Sequence, residues 1–218
     1  IGLATAPGVG IRAATLALSR ALARNGAKSG FRKPIAQLFR GDTGPERSTY
    51  VIRNTTDLNP PDPIAYAEAD REISAHGTEP IMERILERYQ PVAETSDVVV
   101  MEGLINQDEY EHALLLNKSL ARTLDASIVF VSSPHGDKVD QLNAELEHTA
   151  SEFGGYASER TLGAIVNFVN APRDEAGRLR PDLDLQPPGA APTWDRVEAE
   201  CPLLHSDAFR LLGCVPSH

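Results

Sequence analysis

The stretch Thr5-Ala6-Pro7-Gly8-Val9-Gly10-Ile11-Arg12 follows a short apolar run and opens an Ala/Leu-rich segment. A phosphate-binding loop of the form G-x-x-x-x-G-K-[ST] sits at such a place. Its glycines let backbone N–H groups cradle phosphates, its lysine reaches the terminal oxygens, and its hydroxyl binds magnesium. Here only the second glycine is present, as Gly10. Thr5 stands for the first glycine, Ile11 for the lysine and Arg12 for the hydroxyl. A cradle at a helix N-terminus attracts anions by itself, and Arg12 brings one charge from a different position. The alternative is a Gly-rich turn with no ligand.

Three further groups stand where apolar runs end: Lys33 in Phe31–Gln37, Glu102 in Met101-Glu102-Gly103-Leu104, and Asn167 in Val166–Pro172. The carboxyl ends of parallel strands are where ligands of open α/β sheets bind. Lys33 has a second reading as the ion-pair partner of Glu102, and Asn167 as a group that satisfies loop backbone. Asp42, in Gly41-Asp42-Thr43, is a candidate second acidic ligand beside Glu102 or simply a turn residue. The six histidines show no i, i+4 pair and read as surface or loop residues. No G-x-S-x-G elbow occurs. Asp108–Glu111 and Glu145–Glu147 read as solvated faces.

The elements that must position these groups alternate in type. Ile1–Thr5, Ser29–Ile35, Asp97–Met101, Ser127–Val131, Leu162–Phe168 and Leu211–Val215 predict strands, with Asp97–Met101 expected to be buried on both faces. Ala13–Arg24, Ile64–Ser74, Glu79–Tyr89, Asn117–Leu124, Lys138–Phe153 and Asp195–Glu200 predict helices. In Glu79–Tyr89 the apolar face is Ile81, Ile85 and Leu86. Leu38–Pro63 has the composition of a long loop, and Pro172–Pro192 that of a surface excursion. Alternation of strands and helices means βαβ units and a mostly parallel central sheet in a three-layer α/β sandwich.

The 218 residues carry 21 Lys+Arg against 31 Asp+Glu, a net charge of −10. That balance argues against a nucleic-acid binder, which must neutralise phosphates. The longest charge-free runs are too short to span a bilayer. Residues 1–23 resemble a signal peptide in composition only, since Arg12, Arg20 and the glycines interrupt them. Cys201 and Cys214 match no zinc spacing. The chain begins without Met and is expected to be a piece of a longer protein, 1–218 forming one domain.

Five runs in order carry a family resemblance: Lys33–Gln37, Val98–Leu104, Leu120–Val131, the Phe153-Gly154-Gly155 turn, and Asn170–Leu183. With the defective phosphate loop, they resemble the dethiobiotin-synthetase-like, P-loop-derived domain, and more closely the N-terminal domain of long-form bacterial phosphate acetyltransferases. The resemblance covers nearly the whole chain. It implies a P-loop NTPase-like fold and a cytoplasmic, homo-oligomeric protein with an acetyltransferase domain further along the same chain. In ATP-using relatives the lysine corresponding to Lys33 contacts substrate or phosphates, the glutamate corresponding to Glu102 helps hold magnesium, and the asparagine corresponding to Asn167 reads adenine. The implied function is a regulatory or assembly domain, itself non-catalytic, of an enzyme that interconverts acetyl-CoA plus phosphate with CoA plus acetyl phosphate. No cofactor is required on that reading. A weak nucleotide or dinucleotide effector, with magnesium at most an accessory, is expected at Gly8, Gly10, Arg12, Lys33, Glu102 and Asn167. The alternatives are an ATP-dependent ligase of the dethiobiotin synthetase type and a purely structural oligomerisation module.

Overall fold

A computed structural model describes residues 1–38, 44–134, 139–167, 169, 194–206 and 209–215. Asp42 and the 172–192 excursion lie outside the described residues. The chain divides into two compact units, one of residues 1–7 and 11–127, the other of residues 8–10 and 128–218. The fold class is α/β, and every strand pairing within a unit is parallel.

In the first unit, β1 (Gly2–Ala4) leads to α1 (Ile11–Arg24), β2 (Ser29–Arg32), β3 (Ile35–Ala36), α2 (Arg47–Thr55), β4 (Ile64–Ala65), α3 (Tyr66–His76), α4 (Glu79–Ala93), β5 (Val98–Met101) and α5 (Ala113–Thr123). β2 pairs with β5 so that Phe31 faces Val100 and Arg32 faces Met101 in register. Successive strand side chains alternate between faces. Phe31 and Val100 therefore share one face, where Ile52 of α2 and Leu16, Leu18 and Leu22 of α1 cover them. Met101 is on the other face, in a larger core with Ile81, Met82 and Ile85 of α4 and Leu116 and Leu120 of α5. Helix, sheet and helix thus form three layers around β2 and β5.

Several expectations are corrected here. The 38–63 stretch contains a helix, α2, whose N-cap is Glu46. Its carboxylate accepts from the backbone N–H groups of Ser48 and Thr49 at 2.9 and 2.7 Å. Ile64–Ala65 is not the start of a helix but pairs in parallel with Ile35–Ala36, and the helix begins at Tyr66. Pro34, which has no N–H to give a ladder, separates β2 from β3. Finally, β5 is buried only toward its carboxyl end, since Val98 emerges at the surface. In α4, Met82 takes the core position expected of Leu86, which is exposed.

The second unit contains β6 (Ile128–Ser132), α6 (Val139–Ser151), β7 (Thr161–Asn167), α7 (Trp194–Glu200) and β8 (Leu211–Val215), with β7 paired to both β6 and β8. Phe130 stacks on Phe209 with ring centroids 6.1 Å apart and meets Phe153 at 6.2 Å. Leu142 and Leu146 of α6 are fully buried. At Gly163 the backbone has φ 141°, and a Cβ would stand 1.9 Å from the carbonyl oxygen of Arg210. Only glycine lets β7 run this close to the chain entering β8.

Candidate functional site

Arg12, Lys33 and Glu102 are brought together in the first unit. Glu102 follows Met101 at the end of β5, and alternation turns it to the α1 face. Its carboxylate is 3% exposed. Oε1 lies 3.1 Å from Nζ of Lys33 and accepts from the Ser48 hydroxyl at 2.8 Å. Oε2 accepts from the Thr15 hydroxyl at 3.0 Å. Lys33, 4% exposed, also donates to the carbonyl of Gly103 at 2.7 Å. Arg12 donates through Nε to the Ser48 oxygen at 3.2 Å. One buried carboxylate therefore gathers α1 through Thr15, the end of β2 through Lys33, and α2 through Ser48. Leaving either charge buried without the other would cost about 3–5 kcal/mol.

The segment after Glu102 is held by two reciprocal amide pairs. Asn117 of α5 accepts from the Leu104 N–H and donates to the Leu104 carbonyl, both at 2.8 Å. Gln37 does the same for Ile105, at 2.6 and 2.8 Å. Gly103 is required by space: a Cβ would meet Leu3 at 2.6 Å and Asn117 Oδ1 at 2.9 Å, while its N–H donates to the Gly2 carbonyl at 2.9 Å. The Lys33–Gln37 and Glu102–Ile105 runs are thus two halves of one locked structure.

Gly8, Gly10 and Asn167 belong to the second unit. Gly8 and Gly10 have φ of 83° and 76°, the left-handed backbone that glycine tolerates without strain. Asn167, at the end of β7, donates through Nδ2 to the carbonyls of Val9 and Gly10 at 2.7 and 3.0 Å. Its Oδ1 is buried and has no hydrogen-bond partner among the described residues. Ile11 is buried as an apolar side chain.

Sequence reasoning missed Thr15 and Ser48. Their hydroxyls follow no spacing rule. Thr15 stood on an expected helix and Ser48 in an expected loop, so no signal in the sequence paired them. Among the described residues no cluster of three or more His, Cys, Asp or Glu could hold a magnesium ion, and both oxygens of Glu102 are already engaged. Such an ion would have to displace Lys33 or a hydroxyl.

A parallel α/β fold with a glycine turn before α1, and with a lysine, a glutamate and an asparagine at strand ends, defines a P-loop-like domain. A family model described as an AAA domain matches residues 3–218, and the chain belongs to that family. Its sequence is also similar to phosphate acetyltransferases. It is 37% identical to that of Pseudomonas aeruginosa over 209 residues, covering 96% of this chain and 28% of the relative. It is 35% identical over 216 residues to that of Haemophilus influenzae, covering 96% and 29%, and 36% identical over 180 residues to that of Escherichia coli, covering 82% and 25%. The chain spans little more than a quarter of the length of these curated relatives. No described helix is long and apolar enough to cross a membrane.

Proposed function

We propose that this chain is the N-terminal regulatory and assembly domain of a phosphate acetyltransferase, and that it does not itself transfer acetyl or phosphoryl groups. The observation that carries this reading is the state of Glu102. In phosphoryl transfer, metal and lysine contacts supply most of the stabilisation of transition-state charge. Here the glutamate is bonded to Lys33, Ser48 and Thr15, and the loop-lysine position is the buried apolar Ile11. Residues that would act on a nucleotide instead cross-link the domain. The relatives' printed name and their greater length support placing the acyl-transfer chemistry in a further, C-terminal domain of the same chain.

A weak nucleotide effector site is part of the proposal. The free Oδ1 of Asn167 is an acceptor suited to the amino group of a base, and the turn at Gly8–Gly10 offers backbone N–H groups to an anion. Calorimetry with ATP, ADP and NADH, with and without magnesium, tests it. The expected affinity is micromolar to millimolar, about −4 to −8 kcal/mol. If none binds at millimolar concentration, the effector role fails and a purely structural oligomerisation module is the better account.

A further inference from the structure

On the face of β2 and β5 opposite Glu102 lies a small pocket, open to solvent, of about 20 Å³. All of its lining residues come from the first unit. Its floor is Arg32 beside Met101, register partners on the two strands. Ile85, Arg88 and Tyr89 of α4 form one wall, and Pro61 and Asp62 form another.

The charges of this pocket do not balance. Arg32 is 7% exposed, and its Nε has no hydrogen-bond partner among the described residues. Among the described residues, Arg88 reaches only the Asp62 carbonyl, at 3.4 Å. The Asp62 carboxylate is turned outward to Arg53, 2.8 Å away, and is largely exposed. Lys33 also lines the pocket, but its ammonium is committed to Glu102 and Gly103. Burial and the neighbouring Arg88 both push the Arg32 guanidinium below its ordinary pKa, yet guanidinium remains protonated in proteins. A buried cation with no counter-charge among the described residues is costly, and this one has a second cation beside it. The missing element is a negative charge.

We propose that this pocket is a binding site for a small anion. Its oxyanion head sits between Arg32 and Arg88, and the pocket has room for little more than that head. Guanidinium groups take carboxylate and phosphate heads alike through parallel N–H donors. None of its residues is Gly8, Gly10 or Asn167, and the inference stands whether or not a nucleotide binds there.

The test is calorimetry on the whole chain with inorganic phosphate, phenyl phosphate and butyrate at low salt. At least one of the three should bind at submillimolar concentration. Preference for phenyl phosphate assigns a phosphate head, and preference for butyrate a carboxylate head. Arg32→Met and Arg88→Gln should each weaken binding about tenfold or more, as loss of a charged hydrogen bond implies. Arg88 is exposed, so Arg88→Gln keeps the test decisive if Arg32→Met does not fold. Nucleotide titrations should be unchanged by Arg88→Gln, which separates this site from the nucleotide reading. Absence of binding by every probe at about 10 mM, or equal affinity in wild type and Arg88→Gln, overturns the proposal.

Discussion

A lysine and a glutamate buried together, each almost without access to water, depend on one another more than on the rest of the core. Lys33→Met leaves Glu102 with two hydroxyl donors and no counter-charge. The expected loss is about 3–5 kcal/mol, read as a lowered urea midpoint. Lys33→Met combined with Glu102→Leu removes both charges and should cost less than Lys33→Met alone. A double-mutant cycle measures that coupling. The sequence made Lys33 and Glu102 visible because both stand in recognisable runs at strand ends. Thr15 and Ser48 were hidden because a helix hydroxyl looks the same whether it bonds to its own backbone or to a distant acid. Thr15 bonds to both, the Arg12 carbonyl at 3.1 Å as well as Glu102.

α2 shows how a helix escapes detection when its buried side is polar. Arg47–Thr55 buries Ser48, Thr49 and Ile52, so only one apolar residue marks the inward face. β-Branched and hydroxyl residues also lower its helix propensity. The stop and start chemistry is unusual too, because the cap is a glutamate rather than the preferred Ser, Thr, Asp or Asn. Glu46→Ala removes two capping bonds and should destabilise the chain by about 1–2 kcal/mol. Hydrogen exchange should accelerate at the amides of Ser48 and Thr49 before any change appears in β2 or β5. The longer strands, by contrast, were legible to within about a residue at each end, apart from Ser29–Ile35, which Pro34 divides, since apolar runs bounded by Gly, Pro and Asp have few other interpretations. What patterning missed was the pairing of Ile35–Ala36 with Ile64–Ala65, because two-residue strands are too short to show a period.

At the level of the molecule, the parallel α/β class followed from strand–helix alternation, while the division into two compact units had no counterpart in composition. The second unit recruits Gly8–Gly10, three residues far upstream in sequence, so no linear boundary marks it. The net charge of −10 slows the approach of anions to the whole surface, which makes the two guanidiniums of the Arg32 pocket an exception to the surrounding field. The chain alone is expected to form no acetyl-CoA from acetyl phosphate and CoA above a blank. It should hydrolyse ATP with magnesium well below about 1 s⁻¹. Acetyl-CoA formation by the purified chain would overturn the non-catalytic reading, and ATP turnover at ordinary enzyme rates would overturn the degenerate-loop reading of Ile11 and Arg12.

The cross-link at Glu102 also orders events in time. Its three partners, at positions 15, 33 and 48, are all made before it. A ribosome adding about 5–20 residues each second releases Lys33 roughly 3–14 s ahead of the carboxylate that will hold it. Until then β2 lacks its neighbour β5, and α1 and α2 lack the group that ties them together. The first unit therefore cannot close around Glu102 until that residue has been made, and up to then Lys33 is without its partner and the edge of β2 is without β5.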